Sequence, residues 1–191
     1  MHSLFKPSKE PIFMKLKEHV YLMADYNQWM NQKIYEAVSS MAPETLHQDK
    51  GAFFGSIFAS LNHICVADTL WLKRFSAVLQ TYKAYEPISA LPTPESLNTF
   101  LANNFNDLKD RRVLLDEALL ELASFLTDEE LLQPINYQNS KGVMANKTLF
   151  NLLMHLFNHQ THHRGQITTL LNQSGIDIGI TDLVFIQPNV N

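Results

Sequence analysis

Four long stretches of this chain repeat apolar residues at intervals of three and four, and that spacing constrains the fold more than any other feature. At ~100° per residue, such steps keep side chains on one face of an α-helix. The first stretch runs from about Phe13 to Met41, with Leu16, Val20, Met23, Tyr26, Met30, Ile34 and Val38 in its stripe and Pro43 beyond its end. The second follows Gly51 and reaches about Tyr82. Its broad, mostly apolar face carries Ile57, Leu61, Ile64, Ala67, Asp68, Trp71 and Phe75. Pro87, Pro92 and Pro94 then punctuate a long connection.

Thr93-Pro94-Glu95-Ser96 has the composition of a helix start, with threonine as cap and proline at the first helical position. The third helix is therefore expected over 94–126, its stripe including Leu97, Phe100, Leu101, Phe105, Leu108, Val113, Leu115 and Leu119. Asp107, Asp110, Arg111, Arg112, Asp116 and Glu117 read as its solvated side. Between Gln133 and Asn146, the segments Ile135–Gln138 and Val143–Ala145 suggest a short hairpin, with Lys141-Gly142 as the turn signal. A fourth helix is expected over 148–173, stopped by Ser174-Gly175. The tail that follows carries Ile176, Ile178, Ile180, Leu183, Val184 and Phe185, apolar enough to pack back onto the body.

Four such helices make an all-α four-helix bundle the expected fold, with one long crossover connection, a hairpin or irregular insert before the last helix, and a packed C-terminal tail. Residues 1–12, with two prolines, read as a flexible leader, and 13–191 as a single helical-bundle domain. The length of 191 residues and a hydrophobic fraction of 46% suit one domain with a sizeable core. A net charge of -4 argues against a nucleic-acid partner. No apolar run approaches the ~20 residues of a membrane span or has the form of a signal peptide, so the expectation is a cytoplasmic protein. Cys65, the single cysteine, sits in the apolar run Ile64–Ala67 and is expected to be a buried, inert thiol.

The chemistry is concentrated in His155-Leu-Phe-Asn-His159-Gln-Thr-His162-His163-Arg164-Gly165-Gln166, which holds four of the eight histidines. His155, His159 and His163 are spaced four and four, so each step turns only ~40° and the three share a face of the last helix. Two histidines at that spacing can grip one metal ion, and either 155/159 or 159/163 satisfies the geometry. A catalytic site of this type takes a third protein ligand and leaves a position open. His63, among apolar residues on the second helix, is the best-placed third donor, whereas His19 and His47 read as surface residues. The motif has no glutamate between its histidines, which excludes the His-Glu-x-x-His protease pattern. Asp68 falls ~140° around the helix from His63 and is expected to point elsewhere. Tyr26, Asn27 and Trp29 are candidates to line the pocket.

The run Asn158–Gln166 resembles the signature of the DinB/YfiT-like family of four-helix metalloproteins, a family distinct from the DNA polymerase of the same name. Leu61-Asn62-His63-Ile64-Cys65-Val66-Ala67-Asp68-Thr69-Leu70-Trp71 is similar to that family's second-helix motif, and Asp182-Leu183-Val184-Phe185 to its C-terminal element. The resemblance implies that His63, His159 and His163 are the metal ligands, with His155 and His162 not among them. It also implies a homodimer and a small-molecule substrate. Gly165 is expected to permit close helix approach, and Arg164 to hold an acidic partner such as Asp68 or Asp182. Zinc or nickel is the first expectation for the ion, with iron or manganese also suited to histidine nitrogen.

Three neutral imidazoles leave such an ion its full +2 charge, which deprotonates a coordinated thiol or lowers the pKa of a bound water toward ~7. Relatives in the family are thiol-dependent transferases or isomerases using bacillithiol, mycothiol or glutathione. The resemblance therefore ranks transfer of a small thiol first. The alternatives are hydrolysis by a metal-bound hydroxide, or a non-catalytic metal-binding stress-response protein.

Overall fold

A side-chain oxygen marks the start of three of the four long helices. Ser56 Oγ accepts from the Ala59 N–H at 3.1 Å, Asn104 Oδ1 from Asp107 N–H at 3.0 Å, and Thr148 Oγ1 from Asn151 N–H at 3.3 Å. Each bond satisfies one of the orphan donors of a first turn. The computed structural model describes residues 14–79, 86–139 and 142–189. Its long helices are α1 (Leu16–Ser39), α3 (Ile57–Val78), α5 (Phe105–Phe125) and α7 (Leu149–Gln173). Single-turn helices α2 (Pro43–His47), α4 (Glu86–Ala90) and α6 (Asp128–Leu132) occupy the connections. The leader, residues 1–12, lies outside the described residues, as do Phe13, Tyr82 and Lys141.

Helix α1 packs against α5 and α7, and α3 packs against the same two. The expected stripe of α1 is the one that goes in, with Val20, Met30, Ile34 and Val38 all buried. Helix α3 is buried around most of its circumference, from Ile57 through Thr69, which suits its nearly continuous apolar sequence. The sequence-expected all-α fold holds. Among the described residues, no helix is long and apolar enough to cross a membrane.

The hairpin is present as β1 (Pro134–Gln138) and β2 (Met144–Thr148), antiparallel with Tyr137 opposite Ala145. Its second strand runs later than expected. Val143 stays in the turn, where its carbonyl accepts from the Asn139 N–H, and Gly142 adopts a positive φ of +76°. Helix α7 stops where Gly175 takes φ +79°, with Gly175 N–H bonded to Asn172 O and Ile176 N–H to Leu171 O.

Three expectations fail. Residues 92–104 are not the first turns of the third helix, which begins at Phe105 with Asn104, not Thr93, as its cap. The Asn62 side chain competes for that backbone: its Nδ2 donates to Thr99 O and its Oδ1 accepts from Leu101 N–H, both at 2.8 Å. Consequently Leu97 and Phe100 lie exposed rather than in a core stripe. The second failure concerns the charged side of α5. Asp107, Asp110 and Glu117 are exposed, but Arg112 and Asp116 are buried, because they fall on the same helical face as Leu108, Leu115 and Leu119. Finally, the tail packs only in part. Ile176 and Ile178 contact the core and Tyr26 Oη donates to Thr181 O at 2.6 Å, while Ile180, Val184 and Phe185 remain largely exposed.

Candidate metal centre

Helices α3 and α7 face each other so that His63 meets His159 and His163. His159 Nε2 lies 3.2 Å from His63 Nε2 and 3.1 Å from His163 Nε2, and the donor atoms of all three lie within 4.8 Å of one another. Among the described residues, this is the one group of three or more histidine, cysteine or carboxylate side chains so placed. His63 and His163 are buried and His159 half-buried.

The outer nitrogens fix which inner ones are free. A carbonyl oxygen only accepts, so His63 Nδ1–H donates to Leu97 O at 3.2 Å, and His163 Nδ1–H donates to Gln166 Oε1 at 2.9 Å. The Gln166 amide then donates to His162 Nε2 at 3.2 Å. With their protons on Nδ1, both rings present bare Nε2 lone pairs toward His159. One proton on His159 can bridge only one of them. A divalent ion satisfies all three at once, and nitrogens ~2.0–2.1 Å from a tetrahedral zinc stand ~3.3 Å apart, close to the separations seen here.

Electrostatics keeps the rings neutral. Burial lowers the pKa of His63, and of His163, below the usual histidine value. His159 is pushed down to about 3, by burial first and then by the neighbouring His163 and His63. Neutral imidazole is the form that ligates. Phe54, from the loop before α3, stacks on His63 at 4.0 Å between centroids and meets His163 edge-on at 5.5 Å, which fixes both rings and shields one side. Clefts of about 280 Å³ and 270 Å³ reach His159 and His63 respectively, with Leu97 lining both.

His155 is exposed and packs on Trp71 at 5.5 Å, outside the cluster, and His162 is exposed too. His47 is exposed against Phe58, and His19 is half-buried against Phe150. Cys65 is buried, and burial pushes its thiol up to about 11.

Other expectations around the site need correction. Arg164 holds neither Asp68 nor Asp182. It donates to Asn27 Oδ1, to Asn31 Oδ1 at 3.4 Å and to Gln160 Oε1 at 3.4 Å. Asp68 is taken by Arg112 at 2.6 Å and by the Gln160 amide. A Cβ added at Gly165 would meet nothing within 4 Å, so no helix approaches it closely. Tyr26, Asn27 and Trp29 sit on α1, away from the cluster. Tyr26 faces Thr181 and Arg164, Asn27 joins the polar group around Arg164, and Trp29 stacks near Tyr26 and Lys33.

The sequence reading missed two supports of the cluster. Gln166 was discoverable, since three residues beyond His163 places it over the same ring. The Leu97 carbonyl was not, because a backbone group in an irregular segment leaves no residue-type signal.

Residues 14–189 match the DinB family. Protein DinB of Bacillus subtilis (strain 168) is 30% identical over 169 residues, which cover 87% of this chain and 92% of that protein. The crystal structure of a DinB-like protein from Bacillus cereus ATCC 10987 shares the fold with a TM-score of 0.57 and 21% identity, over 80% of this chain and 90% of that one. The match runs through every long helix and through all three clustered histidines, and the chain belongs to the DinB family.

Proposed function

We propose that His63, His159 and His163 hold one divalent metal ion, zinc or nickel first, and that the centre transfers a small thiol to an electrophile. The observation that carries the reading is the convergence of three Nε2 atoms on neutral rings, with the outer nitrogens of His63 and His163 tied to acceptors. When bound, the ion supplies the positive charge that turns a coordinated thiol into a thiolate at neutral pH. In the transfer, the thiol sulfur forms the new bond to the electrophile's carbon, the thiol proton passes to solvent, and the leaving group departs with its bonding pair. Phe54 excludes water on one side, and the clefts beside His159 and His63 admit reactants. Hydrolysis is the weaker reading: Asp68, the carboxylate nearest His63 in sequence, is buried in the core and paired through Oδ2 with Arg112 and Gln160, away from solvent.

Metal content after dialysis tests the ligand set. His63→Ala, His159→Ala and His163→Ala each lose most bound metal, while His155→Ala keeps it. Loss in the His155 variant with retention in the His163 variant would overturn the assignment. Cobalt-substituted protein tests the chemistry, because an open position admits added thiol and changes the visible spectrum. A spectrum indifferent to thiol favours a structural metal over a catalyst. Assembly as a homodimer, which family membership suggests, is checked by sedimentation velocity.

A further inference from the structure

The cleft that reaches His159 has a second end. Its floor on α3 is Ala67, Leu70, Trp71 and Arg74, spaced three, one and three, which is a single helical face. Ala67 and Arg74 stand ~10 Å apart along that helix. Across the cleft, α7 contributes His155 and His159, and Tyr137 of the hairpin closes the far end. The Arg74 guanidinium lies 4.7 Å from the Trp71 ring centroid and 5.8 Å from that of Tyr137. Among the described residues, its hydrogen bonding is one long contact, NH2 to Gln138 O at 3.4 Å. The arginine–carboxylate pairs among the described residues all belong to Arg112.

An arginine packed beside two contacting aromatic rings has restricted freedom, with donors left over. Burial already lowers its pKa below the usual arginine value, so an arriving anion gains more from it than from a freely solvated one. Lys73, the neighbouring cation, is occupied by the carbonyls of Ile88, Ser89 and Leu91. One permanent positive charge suits a monoanion better than a phosphate dianion.

From this geometry we infer that Arg74 binds the carboxylate of a small-molecule substrate whose opposite end reaches the histidine cluster, with Trp71 and Tyr137 as walls along its length. The inference rests on the metal-centre reading for what happens at the far end. It makes the substrate class a carboxylate-bearing thiol, or a carboxylate-bearing electrophile of similar length. Arg74 is then a specificity-determining residue.

The test uses Trp29→Phe protein, so that Trp71 is the sole tryptophan, loaded with cobalt. The probes are 6-mercaptohexanoate, uncharged 6-mercaptohexanol, and hexanoate without a thiol. In the parent, the carboxylated thiol binds more tightly than the alcohol, as read from the cobalt spectrum. Arg74→Gln weakens the carboxylated probe roughly 10- to 100-fold and leaves the alcohol unchanged, and Arg74→Lys recovers part of the loss. Unchanged alcohol binding shows that the variant is folded. Equal affinity for both thiols, or an equal loss of both in Arg74→Gln, overturns the inference. Should neither thiol alter the spectrum, the thiol-transfer reading fails. Arg74 is then judged on hexanoate quenching of Trp71 fluorescence in the parent, which the inference requires Arg74→Gln to abolish.

Discussion

Arg112→Met probes the polar layer beneath the metal centre. Arg112 NH1 stands 2.6 Å from Asp68 Oδ2, NH2 stands 3.0 Å from Asp116 Oδ1, and all three side chains are at most 4% exposed. Removing the guanidinium strands two carboxylates in the core, and breaking a buried pair from one side costs about 3–5 kcal/mol. A ceiling limits the loss from each carboxylate, since it can escape by taking a proton. Driving a folded-state pKa from ~3.9 past 7 costs ~4 kcal/mol at pH 7. Arg164, whose charge favours ionisation of both acids, softens the loss further. The cost should therefore depend on pH. A carboxylate whose pKa is higher folded than unfolded stabilises the fold while protonated. That contribution is complete below about pH 4 and is lost as pH rises through the folded value. Burial already raises Asp68, and Asp116 to about 6, in the wild type. In Arg112→Met both move higher, so the penalty relative to wild type shrinks between pH 7 and pH 5. The shrinkage is up to ~1.4 kcal/mol per pH unit for each acid that is protonated only in the variant. Urea unfolding followed by circular dichroism at the two pH values measures this. The triple change Asp68→Asn, Arg112→Met, Asp116→Asn removes the stranded charges and should recover most of the stability. A single-variant loss below about 1 kcal/mol, or one equal at both pH values, refutes the account of a buried, mutually compensating network.

Gln166→Ala removes the acceptor of His163 Nδ1–H. Metal affinity should fall roughly 10- to 100-fold in competition with a chromophoric chelator, and an unchanged affinity would mean that Gln166 does not set the tautomer of that ring. Cys65 is buried, carries a thiol raised to about 11 and lies 3.5 Å from Tyr35 Oη. It should resist a disulfide reagent in native protein and react on unfolding, and Cys65→Ser should keep the metal. Fast labelling of the native chain would contradict its burial.

The four helices were legible because a long helix buries a continuous face that helical spacing records, although Leu97, Phe100 and Val113 of the third expected stripe are exposed. The site was legible for a related reason. His159 and His163 share a turn of α7, and His63 is the one histidine embedded in the apolar sequence of α3. Local chemistry misled where tertiary contacts outweighed it. Thr93-Pro94 is a sound helix start in isolation, yet a cap supplies only ~1 kcal/mol. The two bonds from buried Asn62, with the Leu97 contact to His63, hold the same backbone in another path. The charges of Arg112 and Asp116 were read as solvated because charged residues usually are. Their positions, in step with Leu108 and Leu115, were the contrary signal.

The irregular path of residues 92–104 joins the misread helix start to the function. Had the helix begun at Pro94, the Leu97 carbonyl would have been spent on an amide four residues on, within the helix. With Thr99 and Leu101 held instead by Asn62, Leu97 turns its carbonyl to His63 Nδ1 and leaves its side chain on both clefts. Asn62 and His63 are adjacent on α3, so the residue that unwinds the connection and the residue that benefits are fixed by one helical turn. The same logic runs along α7. Gln160 and Arg164 face inward to the Asp68–Arg112–Asp116 layer, while His159 and His163, each one residue earlier, face the cluster. A rotation of α7 large enough to release the histidines must also break the bond of Gln160 to Asp68 and those of Arg164 to Asn27 and Asn31. The cluster's geometry is thus stabilised by interactions that involve no metal at all.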